Sequence, residues 1–234
     1  MSWTDKKAIE TIKSLRDKFN IKIFVETGTF KGINARLHAK NFQEVLTCEL
    51  LKENFLSAKE KLKNYQNIKI FNLSSPEFLS SFVKKYKEEN RNDLIIVYLD
   101  AHFYDLSLSP EKRFVVLDEL KALKDFDKCI IIIHDFDNGL GHITYDGQPL
   151  DLQLIRKDLM AVNPNFKLYT NELANCDIVK PTIKDIKESG LVFDEETLDN
   201  LEYAWSSPRL TYRGILYAIP EELNKDFNLK RIWN

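Results

Sequence analysis

Short apolar runs alternate along this chain with segments in which apolar residues recur at helical spacing. The runs are rich in isoleucine, valine and phenylalanine, and they predict five β-strands over 21–26, 44–49, 67–72, 94–100 and 129–136. The last two runs are apolar without alternation, as strands that are covered on both faces require. This regular exchange of strand and helix predicts an α/β fold with a doubly wound, mostly parallel sheet and helices on both faces.

Amphipathic helices are predicted between the strands. The first strand is followed by a helix over 33–41, and two Ser-Pro pairs indicate helix starts, with Ser75 and Ser109 as N-caps and Pro76 and Pro110 at the first helical position. In four helices the apolar residues recur every three or four positions and define the buried face. These positions are Ile9, Ile12, Leu15 and Phe19; Leu51, Phe55, Ala58 and Leu62; Phe114, Leu117 and Leu120; and Leu152, Ile155, Leu159 and Val162.

The C-terminal part of the chain predicts a different kind of strand pairing. FKLYT at 166–170 and GILYAI at 214–219 are short apolar segments that we expect to pair as an antiparallel hairpin, which brings the sheet to seven strands. The 171–212 segment between them is predicted to be an insertion or lid. We expect the whole chain, 1–234, to be a single domain, because its length supports one large core.

Composition and charge argue against several classes of protein. Hydrophobic residues make up 44% and charged residues 30% of the chain, which is typical of a globular protein. The formal net charge of -2 favours neither a nucleic acid nor a membrane as partner. No apolar stretch has the length of a membrane span or the pattern of a secretory signal, and the three cysteines fit neither a zinc site nor a disulfide framework. We therefore expect a cytoplasmic protein with reduced thiols.

Polar residues follow every one of the five predicted strands. They are Glu26–Gly32, Glu49, Asn72–Ser75, Asp100–His102 and His134–Asp137. In open α/β sheets, ligands bind at the carboxyl ends of the strands, near the point where the strand order reverses. These segments therefore contain the candidate functional residues of the chain.

The segment ETGTFKG, residues 26–32, ends the first strand with two glycines. Gly28 would let the backbone approach a ligand closely, and Gly32 would let the following helix pack near the strand; the alternative is an ordinary tight turn. Neither GxGxxG nor the Lys-Ser/Thr ending of a P-loop is present, so a ligand without phosphate groups is favoured. The carboxylate of Glu26 points to the same conclusion, because it matches a cationic group better than a phosphate. Glu49, after the second strand, is placed to accept both ribose hydroxyl hydrogens, or is a surface glutamate.

These residues resemble the class I S-adenosylmethionine-dependent methyltransferases. The resemblance spans about 26–136 and consists of ETGTFKG, the acid after the second strand, NLSSPE after the third strand and LDAHF after the fourth. It implies a Rossmann-like fold with S-adenosylmethionine as cofactor, whose positive sulfonium and free ribose hydroxyls suit a phosphate-free loop. The loop would contact the methionine part of the cofactor, Glu49 the ribose, and Ser74 or Ser75 the adenine edge. The implied cofactor-binding residues are Glu26, Thr27, Gly28, Thr29, Gly32, Glu49, Ser74, Ser75 and Asp100.

Asp100 and Asp135, which follow the fourth and fifth strands, are placed similarly to acids of the metal-dependent O-methyltransferases of the catechol type. This resemblance implies a divalent cation, Mg²⁺ or another, which would hold a substrate oxygen and lower the pKa of its hydroxyl. The catechol-type pattern has an Asp-Asn pair directly after the fifth strand, whereas HDFDN places Asp137 and Asn138 two positions further on. The candidate metal ligands are Asp100, Asp135 and Asp137.

Two histidines lie beside these acids in the sequence. Either His102 or His134 is a candidate general base, because an unperturbed imidazole titrates near neutral pH, and Asp100 is the third candidate catalytic residue. Alternatively, either histidine is a ligand of Mn²⁺, Fe²⁺ or Zn²⁺. In a purely structural interpretation, His134 is a hydrogen-bonded core residue and the acids bind loop amides. So many ionisable groups at neighbouring strand ends favour a functional site.

The leading hypothesis is an S-adenosylmethionine-dependent O-methyltransferase that acts on a small hydroxylated molecule, in a chain that is a candidate homodimer. One alternative is a glycosyltransferase, in which residues 135–137 are a DxD motif that holds a metal and a nucleotide-sugar; this motif is short and leaves the glycine loop unexplained. Another alternative is a non-catalytic, methyltransferase-like binding module. Candidates for the acceptor pocket are His142, Tyr145, Trp205 and Arg209.

Overall fold

The computed structural model describes residues 6–101, 114–140, 150–171, 214–223 and 229–231. Within these ranges the strands are β1 (Ile23–Thr27), β2 (Glu44–Cys48), β3 (Ile68–Phe71), β4 (Ile95–Leu99), β5 (Cys129–Ile133), β6 (Phe166–Thr170), β7 (Leu216–Pro220) and β8 (Lys230–Arg231). The helices of the same ranges are α1 (Lys6–Phe19), α2 (Ile33–Ala39), α3 (Lys52–Leu62), α4 (Ser75–Glu88), α5 (Val116–Ala122) and α6 (Leu152–Val162).

One mixed sheet contains all the strands of the described ranges, in the order β3-β2-β1-β4-β5-β7-β6-β8. Strands β1 to β5 are parallel, whereas β7 runs antiparallel between β5 and β6. The order reverses between β1 and β4, because β2 and β3 extend to one side and β5 to the other. The predicted doubly wound sheet with a C-terminal hairpin is thus confirmed, and a short strand, β8, is added at the edge beside β6.

Alternate residues of the central strands face two separate hydrophobic cores. Val25 and Val97 pack with α4, α5 and α6 on one face of the sheet. Phe24 and Tyr98 pack with α1, α2 and α3 on the other face. Every residue of β4 and β5 is buried, which confirms the interpretation of these apolar runs as strands covered on both faces.

Two details of the helices differ from the sequence prediction. Leu62 of α3 is buried, but Leu51 is exposed because it is the N-cap residue and lies outside the helix. The N-cap of α4 is Ser74 rather than Ser75: the Ser74 hydroxyl donates to Glu77 Oε2 over 2.6 Å in a capping box. In both cases the predicted helix is present and its first residue is displaced by one position.

Two of the cysteines, Cys48 and Cys129, are free thiols in the core. Burial raises the pKa of both, so the thiols stay protonated at neutral pH. No helix in the described ranges combines the length and the apolar character that crossing a membrane requires.

Several predictions fall on residues that the structure does not describe. They are the helix start at 109–110, the 171–212 segment beyond Asn171, and the functional candidates His102, His142, Tyr145, Trp205 and Arg209. These predictions are neither supported nor opposed by the described ranges.

Candidate functional site

The candidate site lies at the carboxyl ends of β1, β2, β4 and β5. On the β1 side, Glu26 is buried, and its carboxylate accepts hydrogen bonds from Asn34 Nδ2 over 2.6 Å and from Thr47 Oγ1 over 2.8 Å. Burial raises the pKa of Glu26 to about 8; the two hydrogen bonds oppose this shift, and the charge of Asp100 adds to it. Glu26 therefore links β1 to β2 and to the start of α2, and its contact with a cofactor stays a prediction.

Two threonines of the same segment are also turned inward. Thr27 Oγ1 accepts a hydrogen bond from the backbone N–H of Asp100 over 3.2 Å. The hydroxyl oxygens of Thr29 and Thr47 are 2.7 Å apart. These contacts join the end of β1 to the ends of β4 and β2, so neighbouring strands hold the glycine-containing segment in place.

The two glycines of this segment are required by close packing. Gly28 has a φ of 81°, and a Cβ there would lie 2.9 Å from the carbonyl oxygen of Asp100 and 3.1 Å from Cα of Ala101. On this side the glycine makes room for the chain that leaves β4, whereas the sequence predicted room for a ligand. Gly32 has a φ of 74°, and its Cβ would contact Leu62 at 3.0 Å. This close contact is with α3, so the predicted role of Gly32 in the packing of α2 near β1 stays a prediction.

Phe30 is a residue of this loop that the sequence analysis did not single out. Its φ is 47°, in the left-handed region that costs a non-glycine residue about 1–2 kcal/mol. The side chain is 56% exposed, and its backbone N–H donates to Glu49 Oε2 over 2.8 Å. Its position between the two glycines of ETGTFKG was the available signal. Strained, exposed aromatic residues of this kind are found at binding sites more than elsewhere.

Glu49 joins the loops that follow the first three strands. Its Oε2 accepts from Phe30 N–H, and its Oε1 accepts from Leu51 N–H over 2.9 Å. Asn72 Nδ2 donates to the carbonyl oxygens of Glu49 and Leu50, over 2.8 and 3.1 Å. Each carboxylate oxygen has two lone pairs, so Glu49 can accept further hydrogen bonds from ligand hydroxyls. Its contact with a ribose stays a prediction.

Exposed apolar side chains are concentrated around Glu49. Among the described residues the exposed large hydrophobic side chains are Phe30, Leu50, Leu51, Leu56, Phe71 and Leu73. All except Leu56 lie at or directly after the carboxyl ends of β1, β2 and β3. An apolar surface at the ligand-binding edge of an α/β sheet indicates a contact for an apolar or aromatic group. Ser74 and Ser75, the two alternatives predicted for the adenine edge, lie at the same edge: Ser74 is the N-cap of α4, and Ser75 begins the helix and is buried.

A second cluster lies at the ends of β4 and β5 and consists of Asp100, His134 and Asp135; we call it the acid-imidazole cluster. His134 Nδ1 is 3.0 Å from Asp100 Oδ1 and 3.3 Å from Asp135 Oδ1. Both distances are short, but neither oxygen lies along the N–H direction of Nδ1, so these are electrostatic contacts rather than directed hydrogen bonds. His134 is 1% exposed, whereas the Asp100 side chain is 19% exposed and is the most accessible of the three.

The pKa of His134 reflects two opposed effects. Burial, the largest single effect, lowers the pKa of the imidazole, whereas the charges of Asp100 and Asp135 and the short contacts with them raise it. The two acids together prevail, and the pKa is raised to about 9. With no cation bound, the imidazole therefore carries a proton between two carboxylates at neutral pH.

The backbone after β5 places Asp135 in this cluster. The strand ends at Ile133, earlier than predicted, because Asp135 has a left-handed φ of 55° and turns the chain. Phe136 N–H donates to the carbonyl oxygen of Gly214 over 2.8 Å, at the start of the segment that leads into β7. A Cβ on Gly214 would lie 1.9 Å from the carbonyl oxygen of Phe136, so this contact requires glycine. The conformation of Asp135 thus depends on a residue that is distant in sequence.

Asp137 and Asn138 have other partners. Asp137 Oδ1 accepts from Gly139 N–H over 2.9 Å, within the loop. Asn138 Nδ2 donates to Thr170 Oγ1 over 2.8 Å, at the end of β6. Among the described residues, the group able to hold a metal ion is Asp100, His134 and Asp135, whose ligand atoms lie within 4.8 Å of one another. The structure therefore brings two of the three predicted metal ligands together and adds His134 in place of Asp137.

Comparisons with known proteins find structures with a similar fold. No protein-family model matches the chain, and no curated protein sequence matches it. The structure is similar to that of the "putative O-methyltransferase" from Klebsiella pneumoniae, with a TM-score of 0.50 and 13% identity over 92% of this chain and 80% of that chain. It is also similar to the "putative caffeoyl-CoA O-methyltransferase" from Staphylococcus aureus, with a TM-score of 0.46 and 14% identity over 92% of this chain and 84% of that chain. At these identities the likeness concerns the fold alone.

Proposed function

We propose that this protein is an S-adenosylmethionine-dependent methyltransferase that transfers the methyl group to a hydroxyl oxygen of a small acceptor. The observation that carries the proposal is the acid-imidazole cluster beside the β1 loop at the switch point of the sheet. Gly28 packs against the backbone of Asp100 and Ala101, so the predicted cofactor loop and the cluster are direct neighbours. Ligands of open α/β sheets bind at this point.

The β1 to β3 side of the site has the chemistry of a nucleoside subsite. Glu49 is held at the edge of three loops and retains lone pairs for two ribose hydroxyls. The exposed side chains of Leu50, Leu51 and Phe30 offer an apolar surface for an adenine ring. The carboxyl of Glu26 supports the loop from within, through its hydrogen bonds with Asn34 and Thr47.

The β4 to β5 side has the chemistry of an acceptor subsite. The partly exposed Asp100 carboxylate is placed to orient an acceptor hydroxyl and to receive its hydrogen bond. During transfer the oxygen forms a bond to the methyl carbon, the carbon–sulfur bond breaks with its electron pair on sulfur, and the hydroxyl proton passes to the carboxylate of Asp100. A divalent cation bound by Asp100 and Asp135 would lower the pKa of that hydroxyl. Positioning of the two reactants supplies the rest of the rate increase.

The glycosyltransferase alternative has less support. A DxD motif requires both carboxylates to serve one metal and diphosphate, but Asp135 faces His134 while Asp137 accepts a hydrogen bond from Gly139. The non-catalytic module remains the second candidate, and ligand binding together with turnover distinguishes it from the enzyme.

Titration with S-adenosylhomocysteine tests the proposed cofactor. At about 100 times the dissociation constant, we expect about 2.7 kcal/mol of stabilisation and a rise in melting temperature of about 5–10 °C, with ATP and NAD inert. Glu49→Gln should weaken binding by about tenfold, because one ribose acceptor is lost. Glu53→Gln, an exposed acid on α3, is the matched control. No shift of the melting temperature at millimolar ligand would contradict the proposal.

A further inference from the structure

The geometry points to a metal site formed by Asp100, His134 and Asp135 that takes a borderline divalent ion, Mn²⁺, Fe²⁺, Co²⁺ or Zn²⁺, in preference to Mg²⁺. The role of this ion in methyl transfer rests on the proposed function, but the site itself is argued from the three side chains. It differs from the three acids predicted from sequence in one member, because His134, an alternative ligand in the sequence analysis, takes the place of Asp137.

The spacing of the three donor atoms suits a common ion. Two ligand atoms at right angles around an ion, each about 2.1 Å from it, lie about 3 Å apart. His134 Nδ1 is 3.0 Å from Asp100 Oδ1 and 3.3 Å from Asp135 Oδ1. The three ligand atoms all lie within 4.8 Å of one another. The separations are therefore those of neighbouring ligands on one ion.

The state of His134 is a second, independent observation. The side chain is 1% exposed, yet neither ring nitrogen has a directed hydrogen bond with any described residue. A buried imidazole normally satisfies both nitrogens, because each unsatisfied polar atom costs about 1–3 kcal/mol. Nδ1 instead lies 3.0 and 3.3 Å from two carboxylate oxygens. A metal ion bound by Nδ1 and by one oxygen of each carboxylate would satisfy these three atoms at once.

The donor set decides which ion is preferred. Mg²⁺ prefers six oxygen ligands and seldom uses imidazole, whereas Mn²⁺, Fe²⁺, Co²⁺ and Zn²⁺ accept one nitrogen with two carboxylates. The nearest further oxygen donors in the sequence are unsuited, because Asp137 accepts from Gly139 N–H and Asn138 binds Thr170. One imidazole and two carboxylates are thus the ligands that this part of the described chain supplies.

Electron paramagnetic resonance with Mn²⁺ tests the ligand set directly on the wild-type protein. Bound Mn²⁺ should show electron spin echo modulation from an imidazole nitrogen. Mg²⁺ should displace it only at about tenfold or greater excess, whereas Co²⁺ should displace it at equal or lower concentration, as the order of divalent affinities predicts. Because the wild-type protein gives the nitrogen signal, the test does not depend on any variant folding.

Three substitutions refine the result. His134→Gln should abolish the nitrogen modulation and weaken Mn²⁺ binding by about tenfold or more, since ligand loss costs at least the free energy of one contact. Asp137→Asn distinguishes the ligand set with His134 from the set with Asp137. If His134 is the ligand, this substitution should leave the Mn²⁺ dissociation constant within about twofold of wild type, because Asp137 does not contact the ion. Asp118→Asn, an exposed acid paired with Lys121, is the control for a general charge effect.

Three outcomes would overturn the inference: no stoichiometric Mn²⁺ binding, bound Mn²⁺ without nitrogen modulation, or Mg²⁺ binding as tightly as Mn²⁺. The first would indicate that the imidazolium itself bridges the two acids. Binding of S-adenosylhomocysteine is measured separately in the presence of a chelator. Its failure would remove the proposed function and leave the metal site standing, so the two ideas fail independently.

Discussion

Two histidines of this fold are equally buried, and their pKa values move in opposite directions. His38, on α2, is 1% exposed, and its ring stacks on Phe24 with the ring centroids 4.2 Å apart. Burial among aromatic side chains lowers the pKa of His38 to about 3. His134 is also 1% exposed; burial lowers its pKa too, but Asp100 and Asp135 raise it to about 9.

The difference shows that burial does not decide what a histidine does; its charged neighbours do. An imidazole among rings is a packing residue that stays neutral, whereas an imidazole between carboxylates holds a proton or a metal ion. The rest of the structure is arranged accordingly, since His38 lies in a helix within the core and His134 follows the strand end where ligands bind. Three experiments test this contrast, and a fourth tests the strained loop residue Phe30; the one with the largest expected effect comes first.

Gly214→Ala should disrupt the surroundings of His134 through the backbone. A Cβ 1.9 Å from the Phe136 carbonyl oxygen forces the chain after β5 to move, and we expect the free energy of unfolding to fall by about 4 kcal/mol. Gly139→Ala is the matched control, because no atom of the described residues lies within 4 Å of its Cβ and only its left-handed φ is strained, at about 1–2 kcal/mol. Urea unfolding of both variants measures the difference. Equal losses would contradict the packing argument.

Protonation of His38 should lower the free energy of unfolding in acid. Its folded pKa lies below the unfolded value, so its contribution is present above about pH 6.5 and is lost as the pH falls towards 3. Between pH 6.5 and 4.5 this amounts to about 3 kcal/mol. His38→Phe keeps a ring against Phe24 and removes the titration, so the difference in unfolding free energy between wild type and variant should change by about 3 kcal/mol over that range. Glu26, whose pKa is raised to about 8, contributes a slope of the opposite sign to both proteins and cancels in this difference. Parallel pH curves for wild type and variant would show that His38 is not the responsible group.

Deprotonation of His134 should lower the free energy of unfolding at alkaline pH. Its folded pKa is raised, so its contribution is present below about pH 6.5 and is lost as the pH rises through about 9. Between pH 7 and 8.5 we expect a loss of about 2 kcal/mol with a chelator present. The comparison is with His134→Gln, because Glu26, whose pKa is raised to about 8, contributes a slope of the same sign in both proteins. A variant that retains the full slope would assign it to Glu26 instead.

Phe30→Gly is expected to change stability least. Glycine relieves the left-handed strain at φ 47°, by about 1–2 kcal/mol, but its greater freedom in the unfolded chain offsets about 0.5–1 kcal/mol of this gain. Phe30→Val, a branched residue in the same conformation, should instead lose stability. Thermal unfolding measures both variants. If glycine is markedly destabilising, the exposed ring has a packing role that its 56% exposure does not suggest.

Much of the fold was predictable from the apolar pattern, and the reason is visible in particular strands. The runs around 95–99 and 129–133 are buried on both faces, so they cannot alternate and are easily recognised. Strand ends were less accurate, because the fifth strand stops where Asp135 turns the chain. Leu51 was misplaced as a buried helix residue, since periodicity does not separate an N-cap from the helix that follows it.

The sequence by itself determined that acids and histidines follow the central strands, because the apolar runs locate the strand ends and parallel strands bring those ends together. It also indicated the resemblance on which the cofactor prediction depends. Only the tertiary structure decided which side chains meet: Glu26 turns to Asn34 and Thr47, Asp137 turns to its own loop, and His134 joins the acids. The physical reason is that these choices depend on contacts between segments far apart in the chain, such as Gly214 against Phe136, which no local pattern records.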